Sequence, residues 1–370
     1  MMEIKVINNL NKDVKEKLED FGKDDSKLNS LNPYGLEEIG DEETCPNEEI
    51  YPKLDEIIEK FLQYHKGNAD GVFSWVKALN TLAKDLEGEN ISYNGDSANQ
   101  HYGLPTHING DYKNGLIYHC LFNAGTNEVE DSLKISENSL YDYYKIPEKE
   151  LGKGPKDIND IISESEEGKI VENLRHNIIG PDSILTKELK KERNGDKRGY
   201  YCKTYYKEIL EKNEDFYFDP NINDEEISEM TNNMVNIELY PLRSKNKNGA
   251  EYKLNKFSLF GAYIILYRIG KYLNEVKGDR NIKKPIFIFR SFTDWKDCII
   301  ASIKSYFHFY EDTADELFEY LYDNFFLEFS SPNAGSVSSV NVMKKVRIGN
   351  ERFDEMTACL SGSKSEDSAK

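Results

Sequence analysis

The chain has 370 residues, 38% hydrophobic and 31% charged, with a formal net charge of −19. This composition predicts a globular protein with a sizeable core in one large domain or two. The acidic total argues, taken alone, against a phosphate backbone as partner. No signal or transit peptide is recognisable, and the longest apolar run, 257–273, is too short to span a bilayer. Five scattered cysteines without CxxC spacing predict free thiols in a reducing cytoplasm, with neither a metal site nor a cofactor.

The beginning of the chain is acidic and helical in pattern. Residues 1–60 contain 17 Asp and Glu against 8 Lys and Arg. Helices are predicted near 11–21, 51–64 and 73–86. We interpret 1–90 as an acidic N-terminal helical region, whose charge would suit a protein partner, either by imitating DNA or by covering a basic groove.

The main domain is predicted to cover 91–360. Its first strong strand is "LIYHCLF", which follows a segment rich in Asn and Gly. Residues 128–230 are mostly polar and helical in pattern, which indicates a large insertion. The final segment, 361–370, is predicted to be disordered because it is small, polar and charged.

Strands and helices alternate after the insertion. The predicted elements are a strand at 234–240, a helix at 256–274, a strand at 285–289, helices at 294–306 and 313–323, a strand at 325–329 and a helix at 337–345. Strands separated by helices imply crossover connections and a parallel sheet. The predicted fold class is therefore α/β, a three-layer α/β/α domain with a short, mostly parallel central sheet, plus the helical N-terminal region and the insertion.

Small polar residues follow each predicted strand of this domain. The four strand ends run into "NAGTN", "YPLRSK", "RSFTDW" and "SSPNAGS". In a parallel sheet these ends share one edge, where ligands of open α/β proteins bind. A helix beginning near Val337 would direct its positive end at that edge. The alternative is ordinary turn and capping chemistry at each loop.

Two segments are basic despite the acidic total. Residues 186–207 hold 8 basic and 3 acidic residues with four interleaved tyrosines, and residues 243–256 hold 5 basic residues and one acidic. They are either solvated faces or a groove that follows a sugar-phosphate chain while aromatic rings stack on bases.

The order of four motifs resembles the uracil-DNA glycosylase-like superfamily. These are "LPTHINGDYKNGLIYHCLFNAGTNEVED", "MVNIELYPLRS", "KPIFIFRSFTDW" and "EFSSPNAGSVSSVN". The resemblance covers about 100–127 and 232–345 and is nearest to a bacterial branch in which a strand runs into an Asn-Pro-Gly-type loop. It implies a base-binding pocket at the strand ends and hydrolysis of the N-glycosidic bond of a modified base in DNA.

In the resemblance, the loop 123–127 orients the attacking water, and the loop 330–336 enters the duplex and stabilises the departing base. The sequence departs from the pattern at three places. Ala124 stands where proline is usual, no aspartate lies within the first loop, and Ser330 or Ser331 takes the place of a histidine. A glycosylase-like module that binds without catalysis is therefore the alternative function.

Hydrolysis of an N-glycosidic bond needs an amide or carboxylate to hold water and donors for the departing base, which must leave the stack. The candidate catalytic residues are Asn127, Asp131 and Glu238. The candidate substrate-binding residues are Asn123, Gly125, Tyr240, Ser244, Arg290, Ser331, Asn333 and Gly335.

Some of these candidates also have structural interpretations. Glu238 would share a strand face with Asn236 and Tyr240, and a buried ion pair would explain it equally well. Arg290 would otherwise pair with a nearby aspartate, and Tyr240 would otherwise belong to the core. His119, inside the first strand, is expected to be a core histidine.

Three classes of function remain open from the sequence. The first is a DNA base-excision enzyme, with DNA or a nucleotide as partner and no membrane. The second is the inactive module recognising nucleic acid, a nucleotide or a protein. The third is a nucleotide or nucleoside hydrolase that uses the same edge of the sheet.

Overall fold

The computed structural model describes residues 10–35, 37–39, 48–50, 52–65, 106–122, 175–176, 178–241, 254–331 and 334–361. The elements before the main sheet are α1 (Lys12–Phe21), α2 (Asp25–Ser30), β1 (Glu37–Ile39), β2 (Glu48–Ile50) and α3 (Pro52–His65). The helices predicted near 11–21 and 51–64 are confirmed, whereas the one predicted at 73–86 lies outside the described residues.

The main sheet has eight strands in the order β10-β9-β8-β7-β4-β6-β3-β5. They are β3 (Ile108–Asn109), β4 (Ile117–Leu121), β5 (Ile179–Gly180), β6 (Met234–Glu238), β7 (Ile286–Phe289), β8 (Phe326–Phe329), β9 (Val342–Lys344) and β10 (Val346–Arg347). Strand β4 is parallel to both β6 and β7, and β7 is parallel to β8. The carboxyl ends of the four predicted strands therefore share one edge, which confirms the mostly parallel sheet.

Helices cover both faces of this sheet. They are α4 (Ile184–Arg193), α5 (Tyr200–Thr204), α6 (Lys207–Lys212), α7 (Glu214–Tyr217), α8 (Asp224–Thr231), α9 (Lys256–Gly278), α10 (Phe292–Phe307), α11 (Glu311–Phe325) and α12 (Gly349–Thr357), which a 3₁₀ turn follows (Ala358–Leu360). The longest, α9, begins with a capping box in which the Asn255 and Ser258 side chains bond each other's backbone N–H groups.

Side chains alternate between two cores along the central strands of the sheet. On β4, Tyr118 and Cys120 belong to a core shared with α1, α9, α10 and α11. Ile117 faces the opposite core, which α4 to α8 and α12 complete. The three-layer α/β/α architecture is therefore confirmed. The described residues of the predicted insertion, 175–176 and 178–230, supply most of the second helical layer.

The described N-terminal residues are packed into the first core. Val14, Leu18 and Phe21 on α1 are buried among residues of α9 and α10. Helix α1 lies directly on the backbone of α9, because a Cβ added at Gly270 would be 2.2 Å from the carbonyl oxygen of Leu18. This part of the acidic region is thus packed against the main domain as part of its core. Among the described helices, none has the length and apolar composition required to span a membrane.

The prediction of a helix at 337–345 is wrong. The chain turns at Ser338, whose carbonyl accepts from Asn341 and Val342, and then forms β9. Strand β9 pairs antiparallel with β8, so that Phe329 lies opposite Val342. Pairing with an open sheet edge satisfies the backbone at once and buries β-branched Val342, which outweighs a weak local helical pattern. This segment therefore directs no helix N-terminus at the carboxyl edge.

Candidate functional site

The carboxyl ends of β4, β6 and β7 are joined by backbone hydrogen bonds beyond the strands themselves. The N–H of Leu239 donates to Leu121 O at 3.0 Å, and the N–H of Arg290 donates to Cys120 O at 2.9 Å. These bonds hold the first residue after each strand in a defined position. Residues following the strands can consequently form a site at this edge.

Six of the candidate residues lie outside the described residues. They are Asn123, Gly125, Asn127, Asp131, Ser244 and Asn333. Their assigned roles stay predictions. The other five, Glu238, Tyr240, Arg290, Ser331 and Gly335, lie at or near the carboxyl edge, at the ends of β6, β7 and β8.

Glu238 is the last residue of β6 and is 1% exposed. It lies beside Leu121 of β4, and its backbone N–H donates to His107 O at 2.8 Å. Burial, with the negative charge of Glu238 as a second cause, raises the pKa of the Cys120 thiol well above its usual value. A carboxylate is thus held inside the edge by the strand that carries it.

Arg290 follows β7 and is half-buried. Its Nη1 donates a hydrogen bond to the Tyr205 hydroxyl at 3.2 Å. The sequence offers nearby aspartates as partners of this arginine but does not point to Tyr205, which is 85 residues away in the chain. The signal that could have found it is the run of four tyrosines in 186–207.

Tyr205 connects three parts of the edge. Besides the bond from Arg290, its ring lies so close to Gly335 that a Cβ there would be 2.6 Å from Tyr205 Cε1. Its carbonyl accepts from Val337 N at 2.8 Å. Burial, followed by a hydrogen bond with Tyr200, raises the pKa of Tyr205 to about 12, while the positive charge of Arg290 opposes the shift.

A buried polar network lies beneath Tyr205. The Nδ1 of His119 is 3.0 Å from the Tyr206 hydroxyl, and the same hydroxyl accepts from Asn236 Nδ2. The backbone N–H of Ile184 donates to Asn236 Oδ1 at 3.3 Å. Burial lowers the pKa of His119 to about 3, with the positive charge of Arg290 as the second cause. His119 is therefore a neutral core histidine, as expected.

The structure changes the interpretation of the last loop. Ser331 is exposed, and its Oγ accepts from the N–H of Ala334 at 3.2 Å, which is turn chemistry. Gly335, a predicted substrate-binding residue, is buried, and the Tyr205 ring lies against its backbone. A larger residue at Gly335 should therefore lower stability, because its side chain would meet that ring.

Tyr240 lies two residues beyond the end of β6 and is 3% exposed. Its ring packs edge-to-face on Phe122, with centroids 5.1 Å apart. In this arrangement Tyr240 offers no free ring face to a base. Among the described aromatic residues of this region, Tyr200 is exposed, at 62%, and its ring lies 5.5 Å from that of Tyr205.

The basic segment 186–207 is extensively paired within the chain. Its ion pairs join Lys190 to Asp182, Arg193 to Asp224, Arg198 to Glu192 and Lys207 to Glu211. These pairs favour the solvated-face interpretation of that segment, because its cations already have anionic neighbours. Most of the second basic segment, 243–256, lies outside the described residues.

Comparisons with protein-family models, with curated proteins and with solved structures found no match to this chain.

Proposed function

We propose that the carboxyl edge of the sheet binds a nucleobase and that the protein hydrolyses the N-glycosidic bond of modified bases in DNA. The observation that supports this best is the position of Arg290. Its half-buried guanidinium lies at the end of β7 and donates to the Tyr205 hydroxyl, near the strand end that carries Glu238. A cation that binds an oxygen on an aromatic ring suits a base oxygen that becomes anionic as the glycosidic bond breaks.

The chemistry assigns a separate role to each group. Departure of a base leaves positive charge on the sugar and negative charge on the base, so a donor to the base lowers the barrier. Arg290 is proposed as that donor, and Tyr200 as an exposed ring on which a neighbouring base stacks. Asn127 and Asp131, with Glu238 as the third candidate, are proposed to hold the attacking water.

The test uses DNA oligonucleotides that contain uracil or another modified base. The protein should release the base, and alkali should then cleave the strand at the abasic site. Arg290→Gln should lower the rate by about 100-fold, because removing one donor to a developing anion has effects of that order. The double variant Asn127→Ala and Asp131→Ala should retain DNA binding and lose cleavage.

Arg280→Gln is the matched control. Arg280 is exposed and follows the C-terminal end of α9, whereas the candidate site lies at the ends of β6 and β7. The Arg280→Gln variant should release the base at the wild-type rate. Salt-dependent DNA binding without abasic sites on any modified base would contradict hydrolysis and select the inactive binding module.

A further inference from the structure

The Tyr205 side chain fills a space that the rest of the carboxyl edge encloses. The backbone of Gly335 forms one wall, since a Cβ there would be 2.6 Å from the ring. The His119 imidazole lies perpendicular to the ring, with centroids 5.5 Å apart, and Arg290 binds the phenolic oxygen. The space thus has walls shaped for a flat ring and a cation placed for an oxygen on that ring.

The His119 imidazole, which lies beside the Tyr205 ring, carries a hydrogen-bond donor that the buried network assigns to one of its two nitrogens. Because Ile184 N–H donates to Asn236 Oδ1, the Asn236 Nδ2 must donate to the Tyr206 oxygen. The hydroxyl hydrogen of Tyr206 is then directed at His119 Nδ1. A neutral His119 consequently carries its proton on Nε2.

Within the described part of the chain, that Nε2–H has no hydrogen-bond partner, although His119 is fully buried. With Nδ1 engaged by Tyr206, the other rings that flank the imidazole are Tyr205 and Phe329. A buried donor without an acceptor costs free energy, because its hydration is lost and nothing replaces it. A ligand that places an acceptor next to His119 would recover that energy.

Tyr205 has a route out of this space. It is half-buried and lies just after the five-residue helix α5, and the neighbouring Tyr200 ring is 62% exposed. The two rings already lie edge-to-face with centroids 5.5 Å apart, so Tyr205 can keep this favourable contact while its side chain turns toward the surface.

We infer that Tyr205 occupies the ligand position and is displaced by a planar aromatic ligand that carries a ring oxygen substituent for Arg290 and an acceptor for His119. That the ligand is a nucleobase rests on the proposed function. The inference that Tyr205 is displaced does not depend on it. Tyr205 thereby keeps the site closed until a ring of matching chemistry enters. Bases with exocyclic oxygens are favoured over hydrocarbon rings.

Tyr205→Ala should open the space to phenol, which is the ring that the substitution removes. Titration calorimetry should show phenol binding to Tyr205→Ala at least 10-fold more tightly than benzene, because benzene offers Arg290 no oxygen. Adding Arg290→Leu should abolish that preference. Phenol should not raise the melting temperature of the wild type, nor that of Tyr201→Ala, which removes the neighbouring ring instead.

A folded Tyr205→Ala that binds neither phenol nor benzene would overturn the inference, as would equal binding of the two. If Tyr205→Ala does not fold, Tyr205→Phe keeps the ring and removes the hydroxyl with its bonds to Arg290 and Tyr200. It should bind uracil several-fold more tightly than the wild type, and unchanged affinity would contradict displacement. The two proposals can also fail separately. If Tyr205→Ala binds phenol, uracil does not compete for that site, and the protein leaves DNA intact, the proposed function is refuted. The inference that a ring can replace Tyr205 would still stand.

Discussion

Gly270→Ala should lower the free energy of unfolding by about 3 kcal/mol, near the upper end of what overpacking usually costs. A Cβ at Gly270 would lie 2.2 Å from Leu18 O and 3.1 Å from Gly22 N. Both are backbone atoms, so no side-chain rotation can relieve the clash. Helix α1 would have to move away from α9, which would expose Leu18 and Phe21. Urea denaturation of the two proteins measures the difference.

Gly278→Ala is the control in the same helix. Gly278 is the last residue of α9, and a Cβ there would have no heavy atom within 4 Å. Alanine should be neutral or slightly stabilising at this position. A loss below 1 kcal/mol for Gly270→Ala, or equal losses for the two variants, would show that α1 does not pack on α9 as described.

The protein should lose about 4 kcal/mol of stability between pH 7 and pH 5 through two buried histidines. Burial lowers the pKa of both His107 and His119 to about 3, against 6.5 for an ordinary histidine. Below pH 6.5 the two histidines therefore bind protons in the unfolded chain but remain neutral in the native protein. Stability falls as the pH decreases from about 6.5 toward 3, by about 2 kcal/mol per histidine down to pH 5.

Urea denaturation at pH 7 and pH 5 should show this difference, and variants assign it to the histidines. His107→Gln and His119→Gln should each remove about half of the pH dependence, whatever they do to stability at pH 7. His308→Asn, at an exposed residue with a φ of 56°, is the control. A pH dependence that survives in the double variant would mean that other groups cause it.

The sequence by itself determined the parallel core of the protein. Runs such as "LIYHCLF" and "PIFIF" are short, apolar and rich in β-branched and aromatic residues, and helices of period 3.6 separate most of them. Crossover helices force neighbouring strands to be parallel. That reasoning requires only local pattern and chain connectivity, so β4, β6, β7 and β8 and their common carboxyl edge could be predicted.

The contacts at the candidate site and at the edge of the sheet depend on residues that are far apart in the chain. Only the tertiary structure brings these residues together. The contact of Arg290 with Tyr205 spans 85 residues, and the network beneath it joins His119 of β4 and Asn236 of β6 to Tyr206, which lies between α5 and α6. No local pattern encodes such pairs. In the same way, 342–344 became a strand because the free edge of β8 was available to pair with it, and α1 joined the core because two glycines let its backbone meet that of α9.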